Sequence, residues 1–253
     1  MKTITLKKDE IHTGNLILVN AHYPYIEGVT KRTLLSVNTE TKGVLLDSNA
    51  IRFLSDLMDK LNGWEGITAV SGWRSMQEQK EIYTGSLKEK GRIFTEKFVA
   101  LPGHSEHQTG LAIDLALKKE YIDFICPDFP YTGICQTFRQ EADAYGFIER
   151  YPSKKENVTG IAHEPWHFRY VGAPHAEIMV NKGFVLEEYI SFLKNYPYGK
   201  AQPYFQETKD MCAAVSYLEA DKTADTRFEI ADNAPYSISG NNIDGFIITE
   251  WTG

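Results

Sequence analysis

Ser105-Glu106-His107-Gln108-Thr109-Gly110-Leu111-Ala112-Ile113-Asp114-Leu115-Ala116-Leu117 is the stretch on which the fold turns. From Gly110 onward the residues alternate. Leu111, Ile113, Leu115 and Leu117 point to one side; Gly110, Ala112, Asp114 and Ala116 point to the other, the period of a β-strand. Asp114 therefore stands on a face otherwise lined by small residues, with room above its carboxylate for a metal ion and a ligand. A carboxylate buried there needs a partner in any case. His107 precedes it across a bend at Gly110, which lets both side chains reach one ion; His104 is a nearby rival that ranks well below it.

Some fifty residues later the chain reads His163-Glu164-Pro165-Trp166-His167. The letters match the HExxH motif, which works when a helix stacks its two histidines one turn apart. Pro165 inside the motif and the strand-forming run Trp166-His167-Phe168-Arg169-Tyr170-Val171 argue against a helix. In a strand, residues four apart are separated by about 13 Å, too far to share a metal. His167 is thus expected to pair with His107, and His163 to be a neighbour. Two imidazoles and two carboxylates, Asp114 and Glu164, make up a catalytic zinc site with its own general base. The residues themselves leave open which carboxylate ligates and which is the base.

The 253 residues carry 42 % hydrophobic and 24 % charged side chains and a net charge of −7. That suffices for one large domain, with or without an appendage. The acidic balance and the lack of a basic run argue against a nucleic-acid partner. Three cysteines, Cys126, Cys135 and Cys212, form no CxxC pair and fit free thiols in a reducing compartment. Met1–Glu10 lacks the apolar core of a signal peptide, and no stretch has the length of a membrane span. The expected location is the cytoplasm, without membrane insertion, as a monomer or homodimer.

Along the chain, 15–20 reads as a short strand, and 47–61 as a helix capped by Asp47 or Ser48. A strand over 67–70 ends at Gly72. A helix over 75–90 has Met76, Ile82, Tyr83 and Leu87 as its expected buried stripe. Pro130–Tyr145 reads as a helix stopped by Gly146, Phe147–Tyr151 and Trp166–Val171 as strands, and Ala173–Lys194 as helical. The elements interleave without ordered βαβ units. The fold class is therefore α+β, a central antiparallel sheet with flanking helices carrying a single zinc site. The segment 195–203 reads as a linker between a catalytic domain (1–200) and a small β-rich C-terminal appendage (204–253). In that appendage 208–218 is expected to be helical, and 228–230, 236–238 and 246–251 to be strands around a turn at Gly240-Asn241-Asn242.

The pattern Ser-x-His-x-x-Gly-x-Ala-x-Asp followed by Glu-x-x-His resembles that of the zinc D,D-peptidases of vancomycin resistance, the VanY, VanX and bifunctional VanXY enzymes, and is most similar to the VanXY group. Ser71-Gly72-Trp73-Arg74-Ser75, Gln79, Pro102-Gly103-His104 and Arg169-Tyr170-Val171-Gly172 extend the resemblance from about Asn15 to Val185. It implies His107, Asp114 and His167 as ligands of one Zn²⁺ per chain, Glu164 as the base and Arg74 as the electrophilic arginine. Arg74 would otherwise be a surface residue paired with Glu78. Gln79 and Ser105 match positions expected to hold the substrate's terminal carboxylate, and Trp166 is expected to wall the pocket. Ser71 stands where strict dipeptidases tend to be acidic, leaving room for longer substrates. The implied substrates are D-Ala-D-Ala and the soluble muramyl-pentapeptide precursor. An endolysin-type L,D-endopeptidase of the same superfamily and a non-catalytic stem-binding module are the rival expectations. A loop over 91–102 is expected to cover the site.

Overall fold

The computed structural model describes residues 1–41, 43–207, 212–232 and 235–252. The first elements are β1 (Lys2–Leu6), β2 (Leu34–Ser36), β3 (Leu45–Asp47), α1 (Ser48–Leu61), β4 (Ile67–Ser71), α2 (Met76–Glu89) and α3 (Arg92–Phe98). Then come β5 (Ala112–Leu117), α4 (Gly133–Glu141), β6 (Phe147–Tyr151), α5 (Glu156–Thr159), β7 (Glu164–Tyr170), α6 (His175–Lys182) and α7 (Leu186–Leu193). The chain finishes with β8 (Tyr204–Glu207), β9 (Cys212–Glu219), β10 (Thr226–Ile230), β11 (Tyr236–Gly240) and β12 (Gly245–Thr252).

Two compact units result. One comprises Val19–Tyr25 and Lys31–Val185; the other comprises Met1–Leu18, Ile26–Thr30 and Leu186–Gly253. The first is built on a sheet of order β4-β5-β7-β6 with every pair antiparallel, the α+β arrangement read from the sequence. The alternation in β5 is realised. Leu111, Ile113 and Leu115 join Phe168 and Tyr170 in a core with Leu54, Leu57 and Met58 of α1 and Phe138 of α4. The other face of the sheet is thereby left to Asp114 and His167.

Helix α1 forms where its apolar spacing demands. Asp47 caps it by accepting from the Asn49 N–H, and Asn62 closes it in the left-handed region. In α2 the Ser75 hydroxyl and the Glu78 carboxylate complete a reciprocal capping box. The expected stripe on α2 is not the buried one: Gln79 and Ser86 are buried, whereas Met76 is exposed. A polar residue can be buried there because its side-chain amide is satisfied, Gln79 Nε2 donating to Ala100 O at 2.8 Å. Gly146, at φ +81°, ends the turn after α4, where an added Cβ would come within 2.7 Å of Gly172 Cα. The helical span expected after Ala173 is two helices broken at Gly183, which caps α6 at φ +65°. The expected loop over 91–102 contains α3.

In the other unit, β1 pairs with β10, so the first strand of the chain belongs with the C-terminal segment and not with the catalytic domain to which its position had assigned it. The strand expected at 228–230 lies within β10, and those expected at 236–238 and 246–251 lie within β11 and β12 of a four-stranded antiparallel sheet of order β11-β12-β9-β8. Two expectations are corrected. Cys212–Glu219 is a strand, not a helix; it pairs with β12 and β8, and residues 213–217 are buried on both faces, so the segment lacks a strand's usual alternation. The start of that expected helix, 208–211, lies outside the described residues. Nor is 15–20 a strand, although Leu16, Ile17 and Leu18 are buried. Its backbone is satisfied irregularly instead, Leu16 N donating to Ser239 Oγ and Leu18 O accepting from Asn242 Nδ2.

Candidate metal centre

Register puts the site together. Across three strands Ser71 of β4 faces Asp114 of β5, which faces His167 of β7. His107 comes from the turn before β5, where the Ser105 hydroxyl accepts from the His107 N–H and Gly110 (φ +72°) redirects the chain into the strand. The nitrogen and oxygen donors of His107, Asp114 and His167 all lie within 4.8 Å of one another. His107 Nε2 is 3.1 Å from Asp114 Oδ2, and His167 Nδ1 is 3.0 Å from Asp114 Oδ1. The other nitrogen of His107 is engaged: Nδ1–H donates to Gly72 O at 2.6 Å, so that Nε2 keeps its lone pair for the centre. Three buried N, N, O donors converging on one point fit a divalent cation of the zinc class and leave a coordination position open. Among the described residues this is the one such cluster of His, Cys, Asp and Glu.

Glu164 and Arg74 complete the wall. By strand alternation Glu164 and His167 belong to opposite faces, yet Glu164 Oε2 approaches His167 Nδ1 to 3.8 Å. The β6–β7 ladder is irregular between Glu149 and Tyr151, immediately before the Tyr151–Glu164 pair, and such irregularities re-aim side chains. Arg74 donates from Nη2 to Asp114 Oδ2 at 2.9 Å and from Nε to Ser71 Oγ at 2.8 Å. It does not form the surface pair with Glu78, which is occupied in capping α2.

The pocket above these groups is lined by Gln79, Ser105, Phe124, Tyr151, Glu164 and Trp166 besides Arg74 and the three donors. Trp166 serves both here and in the core of its unit. Ser71 does not line the pocket; it holds Arg74. His163 stays outside the cluster, its Nε2 2.7 Å from the Tyr131 hydroxyl. His104 is likewise elsewhere, bonded through Nδ1 to Asn20 O. The three cysteines are free thiols, as expected.

Burial and charge divide the ionisable groups. Burial pushes Glu164 up to about 8, with Asp114 adding to the rise. Burial would raise Asp114 too, but His107 and His167 outweigh it and hold the carboxyl well below its usual range. Burial lowers His107 to about 4, aided by Arg74. His167 moves the other way, up to about 9, because the neighbouring Asp114 and Glu106 carboxylates overcome its burial.

Glu106 and Phe124 carry no role in the sequence reading. Glu106 is fully buried, with Oε1 accepting from Arg150 Nε at 2.8 Å and Arg169 Nη1 at 2.7 Å. Its signal was the adjacency to His107; its partners sit on other strands. Phe124 packs against the Arg74 guanidinium at 5.5 Å, from a segment without periodicity.

The family model "VanY: D-alanyl-D-alanine carboxypeptidase" matches residues 45–173. The bifunctional D-Ala-D-Ala dipeptidase and D-Ala-D-Ala carboxypeptidase VanXYC of Enterococcus gallinarum is 41 % identical over 181 residues, 71 % of this chain and 95 % of that protein. The crystal structure of the vancomycin-resistance D,D-dipeptidase VanXYg with a D-Ala-D-Ala phosphinate analogue superposes with a TM-score of 0.95 at 48 % identity, covering 99 % of each chain. A vancomycin-resistance D,D-pentapeptidase VanY variant from the VanB-type cassette, in complex with Zn(II), gives 0.56 at 32 % identity over 70 % of this chain and 98 % of that one. With the family model spanning half the chain and a relative matched over nearly its whole length, the chain belongs to the VanY family of D-alanyl-D-alanine carboxypeptidases.

Proposed function

We propose that this chain is a zinc-dependent D,D-peptidase that hydrolyses the D-Ala-D-Ala bond of soluble peptidoglycan precursors in the cytoplasm. It acts as a carboxypeptidase on muramyl pentapeptide, as a dipeptidase on free D-Ala-D-Ala, or as both, and so removes the termini that vancomycin recognises. One observation carries the reading: three convergent donors, His107, Asp114 and His167, lie in a pocket whose wall also presents Glu164 and Arg74.

Zinc held by those donors would polarise the scissile carbonyl and acidify its bound water towards a pKa of about 7. Glu164, whose Oε2 lies 3.8 Å from His167 Nδ1 at the edge of the centre, takes the proton of the attacking water and returns it to the leaving amine. Arg74, fixed by Asp114 and Ser71, presents its charge to the oxygen that becomes negative during attack. Gln79 and Ser105 hydrogen-bond the C-terminal carboxylate. Gln79 is pre-positioned by Ala100 O, and the Ser105 hydroxyl retains its proton to donate. Trp166 and Phe124 exclude water from the walls.

The test is D-alanine release from D-Ala-D-Ala and from soluble muramyl pentapeptide, with and without a chelator. Release that stops on zinc removal and returns on reconstitution is expected. Both substrates unchanged by zinc-loaded protein would end the proposal.

A further inference from the structure

The centre contains two buried polar atoms without a hydrogen-bond partner, Glu106 Oε2 and His167 Nε2, and they belong to neighbouring side chains. They stand 3.5 Å apart, both side chains almost wholly buried, with no other partner for either. That separation is just beyond a normal hydrogen bond. Buried polar atoms in folded proteins are rarely left unanswered, so each of these two points to the other. Glu106 is not free to turn away, because Arg150 and Arg169 clamp its Oε1.

We propose that Glu106 is a positioning residue for His167: its Oε2 accepts the Nε2–H of the imidazole, which leaves the Nδ1 lone pair facing the centre. The proposal rests on the assignment of His167 as a zinc ligand made above. His107 is held by the same logic with its ring reversed, Nδ1–H on Gly72 O and Nε2 towards Asp114. The two imidazoles therefore use different nitrogens, each fixed by a partner behind it: a neutral carbonyl for His107 and a carboxylate for His167. A carboxylate partner also makes the imidazole a stronger donor to the metal. The two arginines give that carboxylate its orientation, and they come from β6 and from β7 itself, so the strand that carries His167 also anchors the group that orients it.

The substitution Glu106→Gln separates this role from simple charge balance. One amide oxygen cannot serve both the arginine pair and His167. With the oxygen kept by the arginines, the amide N–H₂ faces Nε2 and favours the imidazole protonated on Nδ1, which cannot ligate through that atom. The expected result is a roughly 10- to 100-fold loss of zinc affinity by chelator competition. Glu106→Asp, which keeps the acceptor, should recover part of it. Folding is checked on the zinc-free variants by circular dichroism. Independently of any variant, nitrogen–proton NMR of zinc-loaded wild-type protein should show His167 protonated on Nε2, with that proton shielded from exchange. Unaltered zinc affinity in folded Glu106→Gln, or a His167 proton on Nδ1, would overturn the inference and leave the peptidase reading intact. Wild-type protein whose His167 takes up no zinc would overturn both.

Discussion

Asp114 and His167 are direct cross-strand partners, fifty-three positions apart in sequence and one register step apart in space, with His167 Nδ1 3.0 Å from Asp114 Oδ1. The alternation of β5 turns Asp114 away from the leucines of the core, and antiparallel pairing with β7 turns His167 the same way. A slip of one residue would send His167 into the helices and bring Phe168 to the site. The candidate metal site is thus as well specified as the hydrophobic core on the opposite face, because one alternation sets both.

Glu164→Ala should leave zinc stoichiometry unchanged, since His107, Asp114 and His167 remain. Turnover should fall by about 10²- to 10⁴-fold, the usual weight of a positioned general base. Metal content and kcat measured on the same preparation check this. Retained turnover would reassign the base.

Arg74→Ala should cost about 10²- to 10³-fold in kcat, the range for a lost oxyanion partner. Arg74→Lys should not restore it. The guanidinium holds Ser71 Oγ and Asp114 Oδ2 with two different nitrogens, and one ammonium cannot reproduce that fork. A lysine variant with wild-type kcat would contradict the role.

His163→Ala should keep the metal, because residues 163–167 do not form a helix and His163 bonds instead to Tyr131. Zinc analysis after dialysis decides. Stoichiometric loss of zinc in a folded variant would restore the HExxH reading.

His175, in α6, gives a pH dependence separate from the centre. Burial holds its imidazole down at about 3 against an ordinary 6.5. The unfolded chain therefore takes up a proton that the folded chain refuses. The stabilising contribution is complete above about pH 6.5 and is lost as pH falls towards 3, with a slope approaching about 1.4 kcal/mol per pH unit. Replacing it by Gln should flatten the stability profile over that window in denaturant titrations. An unchanged acid limb would show that His175 does not titrate with unfolding.

The local elements and the ligand types were legible in the chain itself. The Leu111–Leu117 alternation, the Asp47 cap, the Gly146 stop and the strand character of Trp166–Val171 are short-range patterns, set by the period of the backbone and the chemistry of single residues. They suffice for an α+β chain with a carboxylate and two imidazoles in metal-binding contexts, and for rejecting a helical HExxH. Only the tertiary structure decided the rest. The pairing of β1 with β10, the central position of β9 and the irregularity that turns Glu164 towards His167 depend on partners far along the chain. So does Glu106: its neighbour His107 was conspicuous, but the arginines that clamp it and the imidazole it faces lie on β6 and β7. A sequence carries the period of each strand, but register and burial arise only when strands meet, and those two quantities fix which atoms converge.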